Sequence, residues 1–363
     1  MMRRTALVVA ALLGSSVSAA AHERGPARLL GEHLVPAGVQ VSGTTVGGLS
    51  GIDRDPRTGQ YVLISDDRSE HGPARFYTAN IDAQGVRLIA AHPLRRMDGQ
   101  TYPARCEHAC DDLGPVNPEA IRFDPRSGAI TWAQEGVHPL NPSIRRARPD
   151  GGYLDQLPLP ENERFSSTPG IGPRGNQTLE SLSYTMGGAL IASALEGPLG
   201  QDGAVPTPTQ GALTRMTLQT RGGHVLAQYA YALDPLFATP TGPPGRIGGL
   251  TGVAEILAVS ATRFLVLQRS YATGHGYDIR VYEIDTLGAT DVKDIPALAG
   301  HAVRPVRKKL LVDLRGLAAL DNFEGMTWGP RLSAGERSLL LVSDNNFSAT
   351  EPSRVIALAL PPR

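Results

Sequence analysis

The residues of this chain best suited to chemistry are carboxylates that recur at fixed places. Glu119 and Glu135 are 16 residues apart, and so are Glu180 and Glu196. The first of each pair sits in a short stretch of small and apolar residues, and the second closes an apolar run. Asp53 with Asp66 or Asp67, and Glu324 with Asp344, repeat the arrangement, and Asn117, Asn176, Asn322, Asn345 and Asn346 lie close by. Asp and Asn are favoured in turns on local grounds, because their side chains bond nearby backbone. Glu has no such preference, so a recurring Glu asks for another cause. Carboxylates gathered in one place repel, and their pKa values rise unless something offsets the charge. A hard divalent cation does so, and Ca²⁺ accepts about six to eight oxygen ligands in loose geometry. The ligand set expected on this reading is Glu119, Glu180, Glu324, Asp344, Asp66 and Glu196. The alternative is that the acids pair with Arg68, Arg122, Arg269 and other arginines, or cap turns.

Other groups could join such a centre. Arg68 and Arg269 directly follow the acidic or polar run ends, where a guanidinium suits a phosphate or carboxylate beside a metal, or a plain ion pair. His71, His138 and His275 fall in loops after the second runs, and His275 is taken as a candidate acid or base. Gly170–Gly175 matches G-x-G-x-x-G, but it contains Pro173, no strand precedes it, and no alternation of strand and helix surrounds it. There is no G-x-S-x-G elbow for a serine hydrolase, no H-E-x-x-H and no EF-hand loop.

Positioning these groups falls to a repeated unit. Five segments share one grammar: GLSGID (Gly48–Asp53) with YVLISDD (Tyr61–Asp67), NPEAI (Asn117–Ile121) with AITWAQE (Ala129–Glu135), LESLS (Leu179–Ser183) with ALIASALE (Ala189–Glu196), GLTGV (Gly249–Val253) with FLVLQ (Phe264–Gln268), and FEGMT (Phe323–Thr327) with LLLVSD (Leu339–Asp344). DPRTG (Asp55–Gly59) and DPRSG (Asp124–Gly128) are near-copies joining the two runs, and Met186–Gly188 is a tighter version. Pro presets one backbone angle and Gly takes positive φ, so these read as hairpin turns. Third strands follow at Arg75–Asn80, Leu213–Leu218, Arg280–Ile284 and Arg354–Leu358, and fourth strands at Val86–Ala90, Val225–Tyr229 and Lys309–Leu314.

Four strands per unit at this period predict an all-β fold, a β-propeller of five blades. A sixth blade could sit within Gly200–Gly211 or Pro235–Gly248, and a β-sandwich is the competing architecture. The fifth unit ends after its third strand, so Leu29–Val35 is expected to supply the missing outer strand and close the ring. In a propeller the start of each first strand and the end of each second strand meet at one mouth of the channel, which is where the carboxylates fall. The fourth unit breaks the pattern, with Gly252 and Gln268 in these slots and Glu255 slightly displaced.

Residues 1–21 read as a signal peptide: Arg3 and Arg4, an apolar Thr5–Val17, and a small-residue site at Ala19–Ala21. Residues 22–363 are then one propeller domain, periplasmic or secreted. No later run approaches the roughly 20 apolar residues of a membrane helix. Without Arg3 and Arg4 there are 33 basic and 35 acidic residues, a balance that points to neither nucleic acid nor anionic membrane. Export favours a disulfide between the only cysteines, Cys106 and Cys110, over half of a metal site with His108. A monomer is expected.

The chain resembles the exported proteins described as having esterase-like activity of the phytase type, over about residues 43–360. Gly48–Ile52 with Ser65–Asp67, and Asn322–Met326 with Leu341–Phe347, carry the resemblance, and Pro118–Ile121 and Leu179–Leu182 support it. It implies a propeller and a metal-dependent phosphoesterase or esterase, with Glu119, Glu180, Glu324 and Asp344 as the acidic positions carried over. The family pattern has an acid before an Arg where this chain has Gln268 and Arg269. The resulting expectation is a hydrolase of a small ester or phosphoester, with Ca²⁺ as cofactor. Glu180, Glu324, Arg269 and His275 are its catalytic candidates, and Arg68, Asn322 and Asn345 its substrate-binding ones. A non-catalytic binding module and a lactonase-type hydrolase are the alternatives.

Overall fold

Alternate residues of a β-strand point to opposite faces, so a strand buried on both sides is apolar throughout rather than every second residue. The central runs of this chain behave that way. In the computed structural model, which describes residues 26–106, 113–243 and 248–362, Phe264 and Val266 face one neighbouring sheet while Leu265 and Leu267 face the other. Tyr61 and Leu63, against Val62 and Ile64, divide in the same way, as do Leu340 and Val342 against Leu339 and Leu341.

The strands in chain order begin with β1 (Arg28–Val35) and a two-residue hairpin, β2 (Gln40–Val41) and β3 (Thr44–Thr45). Blade 1 is β4 (Leu49–Arg54), β5 (Tyr61–Ser65), β6 (Arg75–Asp82) and β7 (Gly85–Pro93). Blade 2 is β8 (Pro118–Phe123), β9 (Ile130–Gln134), β10 (Ser143–Ala147) and β11 (Tyr153–Leu157). Blade 3 is β12 (Leu179–Thr185), β13 (Leu190–Leu195), β14 (Ala212–Thr220) and β15 (Val225–Leu233). Blade 4 is β16 (Gly249–Ala258), β17 (Arg263–Ala272), β18 (Gly276–Asp285) and β19 (Arg307–Asp313). Blade 5 is β20 (Phe323–Arg331), β21 (Arg337–Ser343) and β22 (Ser353–Leu360), with β1 as its outer strand.

Each blade is a four-stranded antiparallel sheet, and β1 pairs with β22 from Arg28 opposite Ala359 to Val35 opposite Ser353. The innermost strands β4, β8, β12, β16 and β20 touch in that order and β20 returns to β4. Five apolar clusters fill the seams between neighbouring blades, one per seam. The fold is thus a five-bladed propeller. Gly200–Gly211 and Pro235–Gly248 do not hold a sixth blade: their described residues form loops, with one turn of 3₁₀-helix at Gly200–Asp202 and an isolated bridge between Thr207 and Gln210.

The signal-peptide reading of residues 1–21 lies outside the described residues, as does Cys110; Cys106 is disulfide-bonded. No helix among the described residues is long and apolar enough to cross a membrane.

Midway along, the channel is plugged. Arg122 of β8 is buried, donates to the carbonyls of Ile52 (2.8 Å), Ile256 (3.1 Å) and Met326 (3.3 Å), and pairs with Glu255 at 2.7 Å. Glu255 in turn accepts from the Leu182 amide at 3.3 Å. One ion pair therefore ties the innermost strands of all five blades and separates the two ends of the channel.

Candidate active site at the acidic mouth

The geometry of the mouth comes from a backbone irregularity repeated in every blade. The innermost strands shift register by one residue between Leu49 and Gly51, Pro118 and Ala120, Leu179 and Ser181, Val253 and Glu255, and Phe323 and Gly325. The residues left out of the ladder are Ser50, Glu119, Glu180, Ala254 and Glu324. A bulge residue is freed from pairing and its side chain is re-aimed. Glu119, Glu180 and Glu324 line the mouth, and the single Ser50 hydroxyl lies within hydrogen-bond distance of both Glu119 (2.7 Å) and Glu324 (2.8 Å).

The second ring of side chains comes from the ends of the second strands. The amides of Asp66, Glu135, Glu196 and Asp344 bond the carbonyls of Gly48, Asn117, Thr178 and Asn322 at 2.7 to 3.0 Å. In blade 4 the same level pairs Gly252 with Arg269. The fourth blade's slots are therefore held by Ala254 and Arg269, not Gly252 and Gln268, because β16 and β17 run past the level where the other inner strands stop. Gln268 turns into the seam with blade 3, where it meets Asp234 (2.8 Å), Lys308 (2.8 Å) and the Tyr231 hydroxyl (3.1 Å). Gly252 has no room for a side chain, since a Cβ there would lie 2.4 Å from Cγ of Glu196.

Arginine pairing and an open acidic cluster share the mouth. Arg269 holds Glu196 at 2.8 Å, contacts Glu324, approaches Glu180 at 4.0 Å and donates to Asn322 at 2.5 Å. Burial acts to lower its pKa, but Glu324, Glu196 and Glu180 reverse this and hold the guanidinium charged. On the opposite side, Glu119, Glu135 and Glu180 each offer an oxygen within 4.8 Å of the others. There Glu135 Oε2, Glu180 Oε2 and Asn117 Oδ1 are buried without a hydrogen-bond partner. The nearest cation is Arg68, 3.7 Å from Glu135, with its guanidinium on Asn176 at 2.9 Å and its side chain 42% exposed.

The acids titrate accordingly. Burial, then Glu180 and Glu135, push Glu119 well above the usual carboxylate range. Burial, then Glu196 and Glu135, do the same to Glu180. Burial, then Asp344 and Glu324, raise Asp66. Glu135 is raised to about 7 by burial and then by Glu196, and Asp344 to about 7 by burial and then by Glu324. Burial raises Glu196, against the lowering pull of Arg269.

These oxygens fit a hard divalent cation. Two ligands of one Ca²⁺ at about 2.4 Å lie at most about 4.8 Å apart, and buried carboxylate oxygens without donors are the groups such an ion satisfies. Glu119, Glu135 and Glu180 thus form a buried acidic triad that could hold a metal ion. The cavity above it is about 730 Å³ and is lined on its blade 4 side by Leu250, Tyr271, Thr273 and Tyr277.

Among the other expected site residues, Arg68, Asn322, Glu324, Asp344 and Asp66 line the cavity, while Glu196 lies behind Arg269 as its counter-ion. Asn345 is buried in the seam between blades 5 and 1, accepting from the Gly48 amide (3.2 Å) and donating to the Glu351 carbonyl (3.0 Å). His275 is exposed in the turn between β17 and β18, outside the cavity lining. His71 stacks on Phe347 at 4.1 Å, and His138 packs edge-on against Phe165.

One first-ring assignment moves, and one second-ring choice is resolved. Asp53 lies at the far end of β4, not at its start, and accepts from the Phe123 amide and Thr327 hydroxyl (both 2.8 Å) below the plug. Its place at the mouth belongs to Ser50. Asp67 pairs with buried Arg75 at 2.6 Å, so Asp66 is the carboxylate of that doublet facing the cavity. Sequence reasoning left Glu135 out of the ligand set, although its 16-residue spacing from Glu119 marked it.

A family model described as "Phytase-like: Esterase-like activity of phytase" matches residues 44–347. No curated protein matches the chain. A crystal structure of a protein of unknown function from Dyadobacter fermentans DSM 18053 aligns at 11% identity over 92% of this chain and 99% of that one, with a TM-score of 0.39.

Proposed function

We propose that this chain, which belongs to the phytase-like family, is an exported hydrolase that uses Ca²⁺ to cleave an ester or phosphoester bond at the acidic mouth. The observation that carries the proposal is the triad of Glu119, Glu135 and Glu180, which offers three oxygens within one ion's reach and includes two buried oxygens, Glu135 Oε2 and Glu180 Oε2, without donors. When bound, Ca²⁺ supplies charge to polarise an ester or phosphoester oxygen and to acidify water.

The chain's own groups do the rest. Asp344 lines the cavity outside the triad, and its pKa of about 7 lets a carboxylate oxygen take a proton from water and return it to the leaving alcohol near neutral pH. The Asn346 amide (2.7 Å) and Asn322 (3.3 Å) fix the orientation of that carboxyl. Arg68, at the rim, holds an anionic part of the substrate. Leu250, Tyr271 and Tyr277 form an apolar wall for its uncharged body. Because Arg269 is engaged by carboxylates and Arg68 alone is substantially exposed among the described lining cations, the mouth favours neutral or singly charged esters over polyanions. A lactone meets that description as well as an open-chain ester.

The test is hydrolysis of a panel, a chromogenic phosphate monoester, phytate, a chromogenic carboxylic ester and a lactone, each with Ca²⁺ and with chelator. Calcium-dependent turnover that Glu180→Gln abolishes, with its circular dichroism unchanged, is the expected result. Full activity in that folded variant would sink the assignment, and no turnover of any member would leave a binding module.

A further inference from the structure

Four arginines are buried among the described residues, and three have a carboxylate: Arg75 with Asp67 at 2.6 Å, Arg122 with Glu255 at 2.7 Å, and Arg215 with Asp202 at 2.7 Å. The fourth, Arg145 of β10, is 4% exposed, and no described carboxylate lies within ion-pair distance of it. Its Nε donates to Ser143 Oγ at 3.0 Å, and its guanidinium lies 5.1 Å from the Tyr102 ring centroid and 5.7 Å from that of Trp132. Cation–π contacts offset part of the cost of burying a charge, but they do not replace a counter-ion.

Arg145 also lines a cavity of about 370 Å³ on the outer side of blade 2, together with Met97, Leu113, Leu157 and Arg164. No acidic side chain lines it among the described residues. Tyr102, in the same wall, is 2% exposed, and its hydroxyl has no hydrogen-bond partner. Burial raises the pKa of that hydroxyl; Arg145 lies close enough to counter part of the rise, but not in a geometry that satisfies the group. Met97, at the rim, is 69% exposed. Among the described residues, the pocket thus combines a buried cation lacking an anion, an unused hydroxyl donor and an apolar wall.

We propose that this pocket is a binding site, separate from the acidic mouth, for a small carboxylate with a planar apolar body. The carboxylate sits on the Arg145 guanidinium, whose fork matches two oxygens, and accepts from the Tyr102 hydroxyl. The apolar body lies against Leu113, Leu157 and Met97. The one buried guanidinium balances one negative charge, Arg164 is 44% exposed and paired with Glu161 at 3.6 Å, and the apolar walls offer nothing to a compact dianion such as phosphate.

The probe is benzoate, titrated calorimetrically into the mature protein, with benzamide and inorganic phosphate as comparisons. Saturable one-to-one binding of benzoate is expected, with benzamide at least about tenfold weaker because it forgoes the charge-assisted bonds. Arg145→Met should abolish the binding while leaving a folded protein, since an apolar side chain of similar length replaces an uncompensated charge. Should that variant fail to fold, Tyr102→Phe reads the same site and is expected to weaken benzoate about tenfold. Glu180→Gln should leave benzoate affinity unchanged, which keeps the result independent of the fate of the hydrolase reading. No saturable benzoate binding, undiminished binding in folded Arg145→Met or Tyr102→Phe, loss in Glu180→Gln, or tighter binding of phosphate than of benzoate would each overturn the proposal.

Discussion

Replacing Arg269 by Met tests whether the mouth carries its own counter-ion on one side. Among the described residues the guanidinium is the only charged partner of Glu196, a carboxyl with 1% side-chain exposure, and it also contacts Glu324. Glu324 keeps Asn322 (3.0 Å) as a donor and shares the Ser50 hydroxyl (2.8 Å) with Glu119 after the change, but Glu196 loses its side-chain partner. Removing one member of a buried ion pair costs about 3–5 kcal/mol, because the other charge stays buried. For a chain of this length the unfolding entropy is roughly 0.7 kcal/mol per kelvin, so the melting temperature falls by about 4–7 °C.

The loss has a pH signature. Arg269 is what pulls the Glu196 pKa down, so without it that pKa rises further. The penalty is then present above the raised value and relieved below it, as the carboxyl protonates. Arg269→Met should therefore melt early at pH 7.5 in chelator, approach the parent at pH 5, and recover in part with millimolar Ca²⁺ through mass action. Arg269→Glu, which makes the second ring acidic in all five blades, should lose more in chelator and regain more with Ca²⁺. The measurement is differential scanning calorimetry of the three proteins across these conditions. An Arg269→Met protein melting within about 1 °C of the parent at pH 7.5, or a deficit indifferent to pH and Ca²⁺, would refute the counter-ion reasoning.

The pKa values of about 7 for Glu135 and Asp344 predict that the cation-free protein loses stability as pH rises. The folded state holds these protons more tightly than the unfolded chain, so the benefit is complete below about pH 4 and gone above about pH 7, and Glu135 alone accounts for roughly 3 kcal/mol. Ca²⁺ binding should accordingly release protons and tighten between pH 6 and 8 (approximately the range where these groups ionise), which calorimetry in two buffers of different ionisation enthalpy reads directly; pH-independent affinity would contradict it. Gly48 has φ of +62°, and a Cβ there would sit 1.9 Å from Asp66 Oδ1. Gly48→Ala should cost about 1–3 kcal/mol and shift Asp66, so a thermal melt matching the parent would count against the tight turn.

The strands were legible because their chemistry is local. The DPRTG and DPRSG turns each place Pro and Gly where a hairpin needs them, and the doubly buried inner strands announce themselves as unbroken apolar runs. The bulge is different: no residue type marks it, since Ser, Glu and Ala occupy it in different blades. Hence Asp53, the first acid after GLSGI, reads as a channel residue although it belongs to the far end of β4. Blade 4 misleads for a related reason. GLTGV resembles GLSGI, yet it is Gly252, three residues further on, that matches Gly48 in the ladder, because β16 begins earlier than the other inner strands. The pairing of Arg122 with Glu255 joins residues 133 positions apart, and no spacing rule reaches that far. What the sequence could not display was which acids already had a partner.

That division of partners decides where a cation can sit. Five-fold repetition alone would place it on the axis, equally shared by the blades. Arg269 breaks the equivalence by neutralising the side of the mouth formed by Glu196 and Glu324, and Ser50 contributes no charge in blade 1. The buried oxygens without a donor lie on Glu135 of blade 2 and Glu180 of blade 3, with Glu119 of blade 2 beside them. A cation drawn to them would sit off the axis, toward the seam of these two blades, and the Arg122–Glu255 pair below would block deeper passage. The space it leaves open lies over blade 4, beside Tyr271 and Tyr277. One substitution at the level of the second ring, an arginine where four blades carry an acid, thus converts a symmetric acidic ring into a site with a charged side and an apolar side, the asymmetry that orienting a substrate requires.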